Sequence, residues 1–536
     1  MTEHPSAPAA DSPTVARSTA LMSMATLASR ATGLARTWVM AIAIGNTLVT
    51  SAYQVANNMP NMIFDLVAGG LLNAAFVPLY LLQSEKHGPE GGNRYASNLL
   101  NIVIIVLGLL SVAATLFAPQ IIATQTFTQS STAEVNTLAV GFFRIFAFQL
   151  LFYGIGGVVT CVLNANRVFF LPAVAPAFNN LVVIAAFIAY LFVAPFDGDL
   201  ALILLAVGTT LGVVAQFVVQ LPALYKQGFK YVPRIDFKDP GLIETIKTGI
   251  PMIIYLVGTL VAFSFRNAFS LVSGDNGPAT LIYAWTWFQL PHGIIAASLS
   301  RALFTEMSAA AAQGDTPAFK RFMQDGISGT LLIVIPLAGL MCVLSEPLMQ
   351  IFRAGAFNSD DVAYVGAMLS VWVLALPFYS LQLYLFNVYA AIRRFTTFSL
   401  VCTALCAGQC ALYALLTSPD LLGLVGIAVA DIVFYAVSSA VLLVILRRYV
   451  GHIGAKRTAS GALKALGATV LGALLVWLAV HYLPLGSGIG GGVGMVLLYG
   501  GAALVMIGAL CYALRIPEMR LITAYITRLF KRRLSR

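Results

Sequence analysis

Long apolar segments follow one another along almost the whole chain, separated by short polar connections. We distinguish fourteen of them, and most are long enough to cross about 30 Å of hydrocarbon as an α-helix. A bilayer offers no water to unpaired backbone groups, so segments of this kind fold as helices. They cover roughly residues 20–44, 48–82, 94–117, 134–163, 170–194, 199–222, 242–270, 278–311, 321–343, 362–390, 396–417, 421–446, 461–483 and 488–512. The sequence therefore predicts an all-α polytopic membrane protein with fourteen transmembrane helices.

The charged residues agree with this assignment. They make up 10% of the 536 residues, whereas a soluble domain carries about 25%. Outside the apolar segments, every Lys and Arg except Arg353 lies in the N-terminal tail, in an even-numbered connection or in the C-terminal tail. The positive-inside rule then places both termini in the cytoplasm. The net charge of +10 is thus explained by membrane topology, and nucleic acid is not expected as a partner.

A weak internal repeat suggests how the segments are grouped. Pro60 and Pro291 each precede a helix rich in small residues, and a similar spacing separates Arg167 from Arg394 in the connections after the fourth and tenth segments. Two six-helix lobes in parallel arrangement, followed by two further helices, explain this pattern, and transporters of that design bind substrate between the lobes. The predicted parts are a disordered cytoplasmic tail at 1–19, an N-terminal lobe at 20–225, a cytoplasmic linker at 226–241, a C-terminal lobe at 242–448, the last two helices at 449–513 and a basic amphipathic cytoplasmic tail at 514–536.

The sequence has no pattern typical of an enzyme. It contains no nucleophile elbow, phosphate-binding loop, zinc-ligand spacing or paired-carboxylate signature. Cys402, Cys406 and Cys410 share one stripe of a helix, which we interpret as small packing residues rather than as a metal site. We expect a transporter without catalytic residues, bound metal or cofactor. Coupling to the membrane potential or to a cation stays open.

Arginines within the apolar segments are the main functional signal. A charge at mid-bilayer costs roughly 2.5–3.5 kcal/mol on insertion scales, so it usually faces a wet cavity or a partner. Arg30 and Arg36 lie in the first segment and Arg266 in the seventh. Guanidinium stays charged and pairs bidentately with phosphate, so these three suit an anionic headgroup such as a diphosphate. The alternative is that each pairs with Asp65, Asp431 or backbone carbonyls, or extends to an interface.

Four further charged residues are weaker candidates. Arg144 and Arg301 also fall within apolar segments, but a position near a helix end, where an arginine reaches the interface, stays open for each. Asp65 fits equally well as an arginine partner and as a direct site residue. Asp431, in the segment GIAVADIVF, is a weak candidate for ion coupling.

Five stretches of the sequence form a recognisable series. They are SMATLASRATGLAR, QVANNMPNMIFDLVAGGLLNAAFVP, LNANRVFFLPAVAPAFNN, LPHGIIAASLSRALFTEMS, and FRAGAFNSDD followed by VYAAIRR. In this order they resemble the MurJ/MviN lipid II flippase family. The resemblance implies the multidrug/oligosaccharidyl-lipid/polysaccharide (MOP) exporter fold, with two six-helix lobes and inward- and outward-open states. It also implies alternating-access movement of undecaprenyl-pyrophosphate-linked peptidoglycan precursor, lipid II, across the bacterial plasma membrane. The implied partners are this anionic glycan lipid, membrane lipids, and proteins of cell-wall synthesis and division.

The same resemblance adds residues to the expected substrate site. Arg30 and Arg36 match the first-span arginines of the family, and Arg266 matches a seventh-span arginine of many members. Asn61 falls in the family pattern V-A-x-x-x-P-N, which stands here as VANNMPN. Asp65 follows in the same stretch, and these five residues form the main part of the expected substrate-binding set.

Ser51 and Thr286 complete that set, at positions where this chain departs from the family. Ser51 stands where the family usually has Asp, and Thr286 where it has a span-eight arginine; Phe64 replaces a further arginine. A flippase for another lipid-linked glycan and a transport-inactive scaffold or regulator of cell-wall assembly therefore stay open. A drug or cation exporter of the same fold is disfavoured by the arginines.

Overall fold

The computed structural model describes residues 13–64, 76–128, 133–516 and 519, and all regular secondary structure in these residues is helical. The helices of the first half are α1 (Pro13–Ile44), α2 (Leu48–Phe64), α3 (Val77–Leu116), α4 (Ala118–Ala123), α5 (Ala133–Phe146), α6 (Gln149–Ala165), α7 (Phe170–Val193), α8 (Gly198–Val218), α9 (Leu221–Lys226) and α10 (Pro240–Ser270). Those of the second half are α11 (Gly277–Pro291), α12 (Ala297–Ala312), α13 (Thr316–Val343), α14 (Ser345–Gln350), α15 (Ser359–Trp372), α16 (Leu376–Ala391), α17 (Phe395–Leu416), α18 (Val425–Val450), α19 (Ala455–Tyr482), α20 (Ile489–Met495) and α21 (Gly501–Ala513). Short 3-10 or π-helical turns join several neighbours, at Leu271–Ser273, His292–Ala296, Val373–Ala375 and Val496–Gly500. The predicted all-α class is confirmed.

The helices follow the predicted apolar segments closely. Within the described residues, eleven helical stretches are long and apolar enough to cross a membrane. The segments 20–44, 48–82 and 278–311 are not among the eleven, although they overlap α1, α2 with the start of α3, and α11 with α12. The count of fourteen therefore stays a prediction. Most of the predicted amphipathic tail at 514–536 lies outside the described residues.

The polar connection between the second and third predicted segments is helical. It forms part of α3, which is interrupted only by non-helical backbone at His87 and Gly88. Gly88 has a φ of +69°, a conformation that glycine adopts without a Cβ clash. Pro89 follows, and proline is tolerated in the first turn of a helical stretch. The kink thus lies within the polar stretch QSEKHGPEGGNR, which separates two apolar parts of α3.

The chain divides into two compact units, each with its own core. Unit 1 comprises the described residues of Met1–Ala43, Val55–Ala123 and Asn136–Ile253, and unit 2 those of Ile44–Gln54, Thr124–Val135 and Ile254–Arg536. A core cluster of unit 1 joins α3, α6 and α9, with Tyr95, Val162 and Leu224 among its buried side chains. A cluster of unit 2 joins α12, α13, α16, α17 and α18, with Met323 and Leu385 among its buried side chains.

The last two membrane helices belong to unit 2. Helix α19 packs against α13 and α21. Gly339 of α13 faces Thr469 of α19 so closely that a Cβ on the glycine would meet the threonine side chain. Small residues at such contacts let membrane helices approach each other.

Helices α6 and α16 are each followed by an arginine in the left-handed backbone conformation. Arg167 and Arg393 have φ values of 61° and 56°. The N–H of the next residue donates to a carbonyl five residues earlier, from Val168 to Leu163 and from Arg394 to Tyr389, at 2.9 Å in both cases. This is the Schellman arrangement, in which glycine is the usual left-handed residue. By backbone conformation, the counterpart of Arg167 in the repeat is Arg393, which is one residue before the Arg394 that the sequence repeat suggested.

The connection between α9 and α10 lies along α3 in unit 1. Its backbone and Tyr231 hydrogen-bond to four polar side chains of α3, which are Asn93, Ser97, Asn98 and Asn101. These α3 side chains are almost fully buried. We call residues 228–239 the strap. Polar side chains on α3 thus replace the water that an exposed connection would use to satisfy its backbone.

Candidate functional site

Arg266 lies in α10, in the part that belongs to unit 2, and its side chain is 11% exposed. Three aromatic rings surround the guanidinium. Its Cζ lies 4.0 Å from the ring centroid of Phe263, 5.5 Å from that of Trp285 and 5.6 Å from that of Trp372. Cation–π attraction strengthens when the partners are withdrawn from water. The rings therefore fix the position of the guanidinium without using its N–H donors.

Asp431 of α18 is 1% exposed and accepts hydrogen bonds from three neutral donors. Trp372 Nε1 donates to Oδ2 at 2.8 Å, and Gln409 Nε2 donates to Oδ1 at 2.8 Å. The Tyr413 hydroxyl donates to the same Oδ1. Gln409 and Tyr413 are four residues apart on α17, so they present their side chains from one face of that helix. The carboxylate is satisfied by these donors alone.

The two charges face each other without a hydrogen bond between them. The shortest distance, from Arg266 Nη1 to Asp431 Oδ2, is 4.0 Å, which exceeds hydrogen-bond length. Arg266 Nε is buried and has no hydrogen-bond partner among the described residues. Buried donors are almost always paired in folded proteins. This guanidinium therefore retains donors for a ligand, and the two oxygens of a phosphate match its fork.

The other two predicted arginines lie on α1, in unit 1. Arg30 is exposed and Arg36 is half-buried. Close to Arg30, α1 is hydrogen-bonded to α7. Asn180 of α7 donates from Nδ2 to the carbonyl of Ser29 at 3.3 Å and to Thr32 Oγ1 at 3.1 Å. Six residues separate the arginines, so they point about 120° apart around the helix axis. The structure thus places two of the predicted arginines in unit 1 and the third in unit 2.

Asn61 also lies in unit 1, near the end of α2. Its Oδ1 accepts a hydrogen bond from the Tyr153 hydroxyl at 2.6 Å, and its Nδ2 donates to the carbonyl of Asn57 at 2.8 Å. One acceptor and one donor of the amide are therefore engaged, and the side chain is held in a fixed orientation on α2.

Ser51 and Thr286 both lie in unit 2 and hydrogen-bond to backbone groups. Ser51 is fully buried, and its Oγ accepts from the backbone N–H of Ala279 at 3.3 Å, at the start of α11. Thr286 Oγ1 donates to the carbonyl of Ile282, one turn earlier, at 2.9 Å. The Ser51 hydroxyl thus links α2 to α11, whereas the Thr286 hydroxyl bonds within α11.

The remaining candidates divide into exposed and undescribed residues. Arg144, in the last turn of α5, and Arg301, in α12, are exposed. Asp65 lies outside the described residues.

Sequence reasoning had not identified the neutral residues that complete the Arg266 environment. Trp372, Gln409 and Tyr413 sit in segments that otherwise read as apolar. The available signal was Asp431 itself, because a carboxylate within an apolar helix needs donors from its neighbours. Gln409 and Tyr413 lie one turn apart on α17, the helix that precedes the helix of Asp431 in the chain.

Comparisons with known proteins agree on one family. A family model described as "Lipid II flippase MurJ" matches residues 40–489. A "Probable lipid II flippase MurJ" of Rhizobium meliloti (strain 1021) is 29% identical over 371 residues, which is 66% of this chain and 66%, just under two thirds, of that protein. One of Rhizobium tropici is 28% identical over 477 residues, or 87% of each chain.

Solved structures show the same fold. A structure described as "Lipid II flippase MurJ, inward closed conformation" has a TM-score of 0.75 at 22% identity, covering 92% of this chain and 99% of that one. An inward-facing multidrug resistance MATE family transporter of the MOP superfamily has a TM-score of 0.63 at 14% identity, covering 77% and 98%. The MOP exporter fold implied by the sequence is therefore confirmed.

Proposed function

Because the chain belongs to the lipid II flippase MurJ family, we propose that it carries lipid II, the undecaprenyl-pyrophosphate-linked peptidoglycan precursor, across the bacterial plasma membrane. The match of the family model to residues 40–489 carries this proposal. The polytopic helical fold supports a transporter, which moves the lipid without changing it covalently. We place both termini in the cytoplasm, following the distribution of Lys and Arg.

We propose that Arg30, Arg36 and Arg266 bind the diphosphate of the lipid during alternating access. Arginine suits this task because its charge does not depend on pH and its planar fork matches two phosphate oxygens. The uncommitted donors of Arg266 support its role. We include Asn61, Ser51, Thr286 and Asp65 as secondary contacts to the headgroup.

The charge of the substrate suggests how transport is driven without a bound cofactor. A membrane potential is worth about 2.3 kcal/mol per elementary charge per 100 mV. Outward movement of an anionic headgroup is therefore favoured when the cytoplasm is negative. We propose that the potential, or a co-transported cation, supplies the driving force, and Asp431 stays a weak candidate for a cation.

A flippase for another lipid-linked glycan is the second candidate. It is favoured by Ser51 and Thr286, whose short hydroxyls bond to backbone groups of unit 2 and carry no charge for the headgroup. The third candidate is a transport-inactive scaffold that contacts proteins of cell-wall synthesis and division.

Complementation of a bacterial strain depleted of its own lipid II flippase separates these candidates. Our proposal predicts that the full chain restores growth and that lipid II no longer accumulates in the inner leaflet. Membrane insertion without rescue would contradict it. Rescue of a different glycan-lipid flippase, with none for lipid II, would support the second candidate.

A further inference from the structure

We propose that Asp431 is an exchangeable counter-ion of Arg266, and that it determines how tightly Arg266 binds a diphosphate. The inference rests on the proposed function, in which Arg266 contacts the diphosphate of the transported lipid. Asp431 does not touch this ligand and acts through the arginine.

The carboxylate can give up its interaction with Arg266 at little cost in hydrogen bonding. Both oxygens of Asp431 already accept from neutral groups, namely Trp372, Gln409 and Tyr413. A buried carboxylate that relied on the guanidinium for its hydrogen bonds would be left unsatisfied when a ligand arrived. Asp431 loses only the attraction of a charge 4.0 Å away.

The guanidinium is equally independent of the carboxylate for its position. Phe263, Trp285 and Trp372 surround its Cζ at 4.0 to 5.6 Å. These contacts persist when the charge of Asp431 is offset by another anion or removed. Arg266 therefore stays preorganised for a ligand, which lowers the entropic cost of binding.

The carboxylate weakens the binding of an anion without abolishing it. A diphosphate brings more negative charge than Asp431 and forms hydrogen bonds that Asp431 does not form with Arg266. At the same time, the fixed negative charge 4.0 Å from Arg266 lowers the affinity for the incoming anion by about tenfold or more. A transporter must release its substrate on the far side, so this weakening favours turnover.

Trp372 connects the two charges and provides a test with the opposite sign. Its indole N–H holds Asp431 Oδ2, while its ring faces Arg266. Trp372→Phe keeps an aromatic ring but releases Oδ2, which can then approach the guanidinium. Asp431→Asn removes the competing charge. Trp372→Phe therefore strengthens the competition between Asp431 and the diphosphate for Arg266. Asp431→Asn ends this competition.

The experiment uses the full chain in lipid nanodiscs of phosphatidylcholine, with radiolabelled farnesyl diphosphate as the probe and farnesol as the uncharged reference. We expect Asp431→Asn to bind the diphosphate about tenfold more tightly, Trp372→Phe to bind it several-fold more weakly, and neither to change farnesol binding. Ser439→Ala is the matched control, because it removes a buried hydroxyl from α18 that bonds to the carbonyl of Phe378. It should bind both probes as the unchanged protein does.

If Asp431 and Trp372 only stabilise the local structure around Arg266, both variants should bind the diphosphate more weakly. That result would overturn the inference. If Asp431→Asn does not fold, Trp372→Phe decides alone, and unchanged or tighter binding overturns the inference. Arg266→Gln separates this failure from that of the proposed site. If Arg266→Gln weakens binding but Asp431→Asn does not tighten it, the inference alone fails. If Arg266→Gln binds normally, the role of Arg266 in the proposed function fails as well.

Discussion

Asn98 of α3 holds the backbone of Asp236 from two sides. Its Nδ2 donates to the Asp236 carbonyl at 3.0 Å, and its Oδ1 accepts from the Asp236 N–H at 2.6 Å. An amide side chain that satisfies both groups of one residue replaces a pair of sheet-like hydrogen bonds. The strap therefore stays on α3 although it has no regular secondary structure of its own.

Removing this amide should loosen the strap. Asn98→Ala deletes two hydrogen bonds, each worth about 1 kcal/mol, so local opening should become about tenfold or more frequent. The strap contains Lys230, Arg234 and Lys238, which are trypsin sites. The initial rate of cleavage there measures the opening. Asn93→Ala, which removes one long bond of 3.4 Å to Gly228, should change it much less. Equal cleavage rates in the two variants would contradict this account.

Acid should loosen the strap through Asp236. A hydrogen bond from Arg234 and one from the backbone N–H of Lys238 hold the pKa of this carboxyl below its ordinary value. The folded strap thus prefers the ionised form. The contribution of ionised Asp236 to the stability of the strap is complete above the ordinary pKa of about 4. This contribution is lost as the pH falls through the lower pKa of the folded state.

A fluorophore attached to Lys230→Cys measures this effect, since the six native cysteines are buried or half-buried. We expect its anisotropy to stay constant from neutral pH to about pH 4 and to fall at lower pH. Asp236→Asn should lower the anisotropy already at neutral pH, whereas Asp199→Asn, on α8, should not. An acid transition that persists unchanged in Asp236→Asn would assign it to another group.

The turn between α1 and α2 depends on a glycine. Gly45 has a φ of +59°, and a Cβ there would lie 2.5 Å from the carbonyl oxygen of Ala356. Gly45→Ala should therefore lower the free energy of unfolding by at least about 1–2 kcal/mol, seen as a lower thermal transition in detergent. Gly141→Ala is the matched control, because nothing lies within 4 Å of its Cβ position in α5. It should be neutral or stabilising. Equal transition temperatures in the two variants would contradict this packing.

The proposed driving force can be tested in proteoliposomes. A potassium gradient with valinomycin sets the potential, and lipid II on each side is measured by its accessibility to an external probe. A potential that is negative on the donor side should increase the rate, and reversing its sign should lower it. A rate that follows a sodium or proton gradient at zero potential would instead favour a co-transported cation.

The sequence predicted the membrane fold well because its evidence is local. The length of each apolar segment and the position of Lys and Arg decide whether a segment crosses the bilayer, and neither depends on tertiary contacts. Arg266 and Asp431 were recognised for the same reason, since a charge in an apolar helix is conspicuous wherever it lies.

The arrangement around these charges depends on contacts between distant parts of the chain. Nothing in the local sequence indicates that Trp372 donates to Asp431 or that Asn98 binds the strap. Neutral polar residues such as Gln409 are common in membrane helices as packing contacts. Their partners therefore became clear only once the helices had been placed in three dimensions.

The central claim is that arginines within the membrane helices bind the diphosphate of the transported lipid. Translocation of lipid II by purified protein in proteoliposomes tests it most directly, with Arg30→Ala, Arg36→Ala and Arg266→Ala beside the exposed control Arg353→Ala. We predict that the control transports at the unchanged rate and that each of the other three loses about tenfold or more of its activity, because each loses charge-assisted hydrogen bonds to phosphate. Undiminished transport in all three variants would contradict the claim.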